Sequence, residues 1–171
     1  MAELMLETEL DEDQKIYATT ISNSGSALLT IINDILNFSK IESGKMELEI
    51  APFDLQAAME DVVTLLSARA GEKNVEIALR YDPDIPTTFL GDVGRIRQIV
   101  TNIAGNAVKF TLEGFVFIDV SLAAKEGKHN VEISIRDSGI GIPSDRLTAI
   151  FDEFEQVENA RSRVFEGTGL G

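Results

Sequence analysis

The 171 residues carry a formal net charge of −14 and no cysteine. That excludes disulfides and thiolate metal sites and makes nucleic acid a poor partner, because nonspecific binding needs a basic surface. Apolar residues make up 44% of the chain, enough for a core, yet no apolar run approaches the roughly 18–20 residues of a membrane span, and the acidic start Met1–Glu7 is too short for a signal peptide.

In chain order, Ala2–Glu7 reads as the end of a helix, joined through the acidic turn Thr8–Glu12 to one long helix over Asp13–Ser43. Ile21, Leu28 and Ile35 recur every seventh residue, with Ser24, Ile31 and Phe38 in the same rhythm. Leu29, Ile32 and Leu36 form a second stripe. A double stripe suits a helix bundle and needs a partner helix or a second chain to cover it. Ser43-Gly44 stops the helix. Met46, Leu48 and Ile50 alternate with Glu47 and Glu49, which predicts a half-buried strand. Asp54 can cap a helix over Leu55–Glu72. Ile77, Leu79 and Tyr81 predict a strand, Asp82–Pro86 a turn and Thr88–Leu90 a short strand, and Asp92 can cap a helix over Arg95–Thr111. Phe115–Ala123 and Val131–Arg136 read as a hairpin closed through Lys125–Asn130. The expected fold class is α+β, with helices on an antiparallel sheet. The length suits one ordinary domain plus a smaller element.

Three segments carry chemistry. On the helix over Arg95–Thr111, Ile96, Val100, Ile103, Ala107 and Phe110 share an apolar arc, and Arg95, Gln98, Asn102, Asn106 and Lys109 share the polar arc beside it. An amide oxygen is a hard, neutral ligand suited to Mg²⁺, which keeps waters and substrate phosphates as its other ligands, and Lys109 can reach the same phosphates. The plain alternative is an amphipathic helix with a solvated face. Asp137 opens D-S-G-I-G-I-P (137–143) and continues the parity of Val131, Ile133 and Ile135. Its carboxylate is therefore expected on the inner face, where it needs a donor, for which the amino group of adenine would serve. Gly139 and Gly141 would let the backbone approach a flat base. The alternative is an Asx-turn. G-T-G-L-G (167–171) suits a nest of amides around phosphate. Between these segments, Phe151 and Phe154 can anchor a cover, and Arg161 and Arg163 bring cations to the last glycines. The single histidine, His129, is expected in the hairpin turn as a solvated residue.

The order and spacing of these segments resemble two-component sensor histidine kinases. The asparagine segment is similar to their N box, D-S-G-I-G-I-P to their G1 box, F-D-E-F-E-Q (151–156) to their F box and G-T-G-L-G to their G2 box. I-L-N-F-S-K-I-E-S-G-K-M (35–46) resembles the end of the second dimerisation helix of hybrid-type members. The resemblance implies a dimerisation element over 1–45, then an ATP-binding catalytic domain over 46–171, a Bergerat-type two-layer α/β sandwich that is incomplete after the last glycine loop. It implies that ATP is held with Mg²⁺ on Asn106, the triphosphate on Asn102 and Lys109, and adenine on Asp137, with Gly139 and Gly141 shaping the base pocket. Arg163, Gly167, Thr168, Gly169 and Gly171 would line the phosphate side, under a lid over Gln156–Val164. It further implies a homodimer through the long helix, transfer of the γ-phosphoryl group to a histidine and then to an aspartate of a response-regulator receiver, and a cytoplasmic location, with the parent's membrane anchoring left open. The phosphoacceptor histidine of the family is expected upstream of Met1, so the chain alone is expected not to phosphorylate itself. Hydrolytic relatives of this fold carry a glutamate where this chain has Asn102, and an amide cannot act as a general base. That ranks an ATPase below two other readings, the kinase part and a non-catalytic nucleotide-binding and dimerisation module.

Overall fold

Asp11 sets the start of the long helix. Its carboxylate accepts the Gln14 N–H at 2.8 Å, and Gln14 Oε1 accepts the Asp11 N–H at 3.2 Å, a closed capping box. A computed structural model of the chain describes residues 1–125, 128–144 and 147. Contacts divide the chain into one unit of residues 1–47 and another beginning at Leu48.

The first unit holds α1 (Ala2–Leu6) and α2 (Glu12–Glu42). Gly44, at φ +64°, follows the end of α2 in the left-handed region where glycine is favoured. Ile21, Leu28 and Ile35 of one predicted stripe and Leu29, Ile32 and Leu36 of the other stay exposed in the single chain, while Ile31 and Phe38 are half-buried. Among the described residues, no helix is long and apolar enough to cross a membrane.

The second unit holds β1 (Ala51–Asp54), α3 (Leu55–Glu72), β2 (Val75–Tyr81), β3 (Thr88–Gly91), α4 (Val93–Phe110), β4 (Gly114–Lys125) and β5 (Lys128–Asp137). The strand predicted over Met46–Ile50 is absent. The short partner β3 is taken up by Ala51–Asp54, from Ala51↔Gly91 to Asp54↔Thr88, and Leu48 and Ile50 stand exposed. Alternation marks a strand only where an edge is available to pair with it. The main sheet has the order β2-β4-β5. β4 and β5 pair antiparallel, as the hairpin predicted, but β2 and β4 pair parallel, from Val75↔Gly114 to Tyr81↔Val120. Parallel neighbours need a long crossover, and α4 supplies it. The antiparallel expectation missed this because side-chain alternation carries no strand direction. The hairpin is also longer than predicted, with pairing out to Lys125↔Lys128, so His129 belongs to β5 rather than to a turn.

The layers meet where α3 buries Ala58, Met59, Val62 and Leu66, α4 buries Val100 and Ala104, and β4 buries Ile118 and Val120. The two helices run in the same direction. Going along both helices, Arg97 pairs with Asp61, Gly105 faces Leu66, and Lys73 reaches the carbonyl of Lys109. Packing on α3 as well as on the sheet turns the buried line of α4 onto Val100, Ala104, Ala107 and Val108 and leaves Ile103 51% exposed, where it was expected to be inside.

Candidate functional site

The helix that carries the amides is fixed at its first turn by Asp92. Oδ1 accepts the Arg95 N–H at 3.0 Å, and Oδ2 accepts the Glu49 N–H at 3.1 Å. These bonds, that from Arg95 foremost, hold the Asp92 carboxyl below its usual range. Asn102 and Asn106 then follow one turn apart, both exposed. Neither side-chain amide has a hydrogen-bond partner among the described residues. Behind them, Arg95 Nη1 donates to Gln98 Oε1 at 2.9 Å. Lys109 is half-buried, with its ammonium 5.1 Å from the centre of the Phe110 ring.

The glycine loop begins on the inner face of the sheet. Ile133 and Ile135 oppose Val120 and Ile118, both fully buried, and Asp137 opposes Val116 in the same parity. The parity is as predicted, but Asp137 sits at the open end of the sheet and is exposed rather than interior. Its Oδ1 accepts the Gly139 N–H at 2.8 Å, an Asx-turn, and Oδ2 has no partner among the described residues.

Two close approaches tie the loop down. Ser138 Oγ accepts the Phe115 N–H at 2.9 Å, and the Ser138 N–H donates to the Phe115 carbonyl at 3.1 Å. The Ile140 N–H donates to the Phe110 carbonyl at 3.3 Å, and a Cβ on Gly139 would lie 2.7 Å from that same oxygen. Glycine is therefore required at 139 for the loop to lie against the last turn of α4. Gly141, at φ +67°, has nothing within 4 Å of an added Cβ among the described residues.

The structure thus brings the C-terminal end of α4, with Asn106 and Lys109, next to the loop with Asp137, Gly139 and Gly141. Phe151, Phe154, Arg161, Arg163, Gly167, Thr168, Gly169, Gly171 and the segment over Gln156–Val164 lie outside the described residues. Sequence reasoning missed Ser138 and Gly114 as the fasteners of the loop to β4, and Lys73 at the end of α4. The D-S-G turn pattern could have flagged Ser138, whereas nothing local to Lys73 announces its reach. Among the described residues no group of three histidines, cysteines or acids could hold a metal. The donors present suit a divalent ion that arrives with phosphate and takes one amide oxygen from the protein.

Two family models match the chain. Residues 1–44 match the one described as His Kinase A (phospho-acceptor) domain, and residues 91–171 the one described as histidine kinase-, DNA gyrase B- and HSP90-like ATPase. Signal transduction histidine-protein kinase BarA of Escherichia coli (strain K12) is 44% identical over 98% of the chain, which spans 18% of that protein. Hybrid signal transduction histidine kinase A of Dictyostelium discoideum is 42% identical over the whole chain, which spans 8% of it. Among solved structures, full-length ShkA in complex with AMPPNP is 39% identical, with a TM-score of 0.77 over 99% of the chain and 35% of its own. The histidine kinase ThkA in complex with response regulator protein TrrA is 26% identical, with a TM-score of 0.63 over 88% of the chain and 42% of its own.

Proposed function

The chain belongs to the two-component sensor histidine kinases, and from that premise we propose that residues 46–171 are the ATP-binding catalytic domain and residues 1–45 the end of the dimerisation domain. The observation that carries the reading is the juxtaposition of two amides on α4, without partners among the described residues, with a carboxylate held by a loop on the end of that same helix. Asn106 coordinates Mg²⁺ through its amide oxygen, and Asn102 and Lys109 hold the triphosphate. Asp137 Oδ2 accepts the amino group of adenine while Oδ1 keeps the Asx-turn, and Gly139 and Gly141 keep side chains away from the base. Arg163, Gly167, Thr168, Gly169 and Gly171 complete the phosphate side.

The position one turn before Asn106 is an amide, Asn102, and cannot take a proton from water. The site therefore positions the γ-phosphoryl group for transfer and does not hydrolyse it. In the whole protein the acceptor is a histidine of the dimerisation domain and then an aspartate of a receiver domain. ThkA's complex with a response regulator supports that partner class. The exposed stripes of α2 meet a second copy of the chain, and this part of the protein works in the cytoplasm. BarA and the hybrid kinase are several times the length of this chain, so sensing and relay belong to the whole protein.

Titration calorimetry with ADP and Mg²⁺ tests the site. Binding is expected, and Asp137→Asn is expected to weaken it by about 10–100-fold, since a lost charge-assisted hydrogen bond is worth about 1.5–3 kcal/mol. No binding at millimolar ADP would sink the reading. His129, the single histidine, lies on β5, so γ-labelled ATP is expected to leave no acid-labile label on this chain. Steady phosphate release would favour an ATPase instead.

A further inference from the structure

The site just described depends on the last turn of α4, whose carbonyls have no partners within the helix. The Thr111 N–H donates to the Ala107 carbonyl at 3.0 Å and the Ile140 N–H to the Phe110 carbonyl at 3.3 Å. The two carbonyls between them are taken by one side chain. Lys73 Nζ donates to the Lys109 carbonyl at 2.9 Å and to the Val108 carbonyl at 3.4 Å.

Lys73 is well placed for this. It ends α3, where its own N–H bonds the Ala70 carbonyl at 3.1 Å and the next residue, Asn74, turns left-handed at φ 55° with its N–H on the Gly71 carbonyl at 3.2 Å. The root of the side chain is therefore fixed, and the ammonium crosses to the negative end of the neighbouring helix dipole.

We propose that Lys73 is a positioning residue for the nucleotide site. It touches no ligand. It holds the backbone of Val108 and Lys109, and so fixes both the direction of the Lys109 side chain and the Phe110 carbonyl on which the adenine loop hangs. One cation on α3 thereby keeps the phosphate-side lysine and the adenine-side loop in register. This rests on the reading of the site given above.

The test uses the whole chain with Lys73→Met, which keeps the aliphatic stem, and Lys73→Arg, which restores a cationic donor. Without nucleotide, amide exchange is followed by mass spectrometry in peptides covering 105–112 and 136–142, with a peptide covering 58–66 as the internal reference. Lys73→Met is expected to speed exchange several-fold in the first two peptides and leave the third unchanged, and Lys73→Arg is expected to reverse it. With Mg²⁺ and ADP, Lys73→Met is expected to weaken binding by about tenfold and Lys73→Arg by much less. Unchanged exchange in both site peptides, or equal acceleration in all three, would overturn the positioning role, as would unaltered ADP affinity in Lys73→Met. Failure of the unsubstituted chain to bind ADP would instead sink the reading of the site, while the exchange experiment would still decide whether Lys73 holds the seam.

Discussion

Gly114 shows how closely single atoms are fitted around the site. It sits at φ +123°, outside the region open to other residues, and a Cβ there would lie 2.1 Å from Ser138 Oγ. The serine could not then accept the Phe115 N–H, and the start of the glycine loop would come off β4. Gly114→Ala is expected to cost on the order of 1–3 kcal/mol from backbone strain alone, read as a lowered Tm. Gly71→Ala is the contrast. It lies in α3 with nothing within 4 Å of its added carbon among the described residues, and removing a helical glycine is expected to gain about 0.5–1 kcal/mol. Equal effects of the two would contradict the packing described here. Thr111 is the misfit at this end of α4. It is fully buried, and its hydroxyl has no partner among the described residues. The need for glycine at 139 was legible in D-S-G-I-G-I-P, but the neighbour that demands it was not. A close approach to a flat base was expected, and the oxygen pressed against Gly139 is the carbonyl of Phe110.

The helices of the second unit are set by their caps, and those caps were the most legible part of the chain. Asp54 accepts the Ala57 N–H at 2.8 Å and Asp92 the Arg95 N–H at 3.0 Å, as the spacing predicted. Asp92 does more than a cap, because it also fastens Glu49 of the connecting segment. A carboxyl whose folded pKa is depressed stabilises the fold above its ordinary pKa and loses that contribution as pH falls through the folded value. Asp92 is such a group, and Asp119, hydrogen-bonded to Arg80, is another. Stability is therefore expected to fall below about pH 4. Asparagine caps helices as well as aspartate does, so Asp92→Asn removes the charge and keeps the cap. In thermal melts from pH 7 down to pH 3, the gap between the unsubstituted chain and this variant is expected to shrink as pH drops, and a constant gap would refute the assignment. Where elements were misread, the cause was a missing neighbour. The arc on α4 turned because α3 claims a second flank, and the strand moved to Ala51–Asp54 because β3 pairs there.

Across the whole chain, the acidic balance makes the site a local matter. With a net charge of −14, long-range attraction would not bring an anionic ligand in, so the proposed site has to act at contact distance, through a lysine, amides and backbone. The order of elements was legible because each is a local pattern. Which strands pair outside the β4–β5 hairpin was not, because that depends on residues far apart in the chain. The parallel register of β2 on β4 has a kinetic side. β4 and β5 are neighbours in sequence and can zip together at small entropic cost, whereas β2 waits until β3 and the whole of α4 have been threaded across. The sheet is therefore expected to build outward from its hairpin, with β4 in the nucleus and β2 as the late arrival. In stopped-flow refolding, Ile118→Val in β4 is expected mainly to slow folding, and Ile77→Val in β2 mainly to speed unfolding. The reverse pattern would mean that the crossover closes first, and that α4 is in place before the glycine loop exists to meet it.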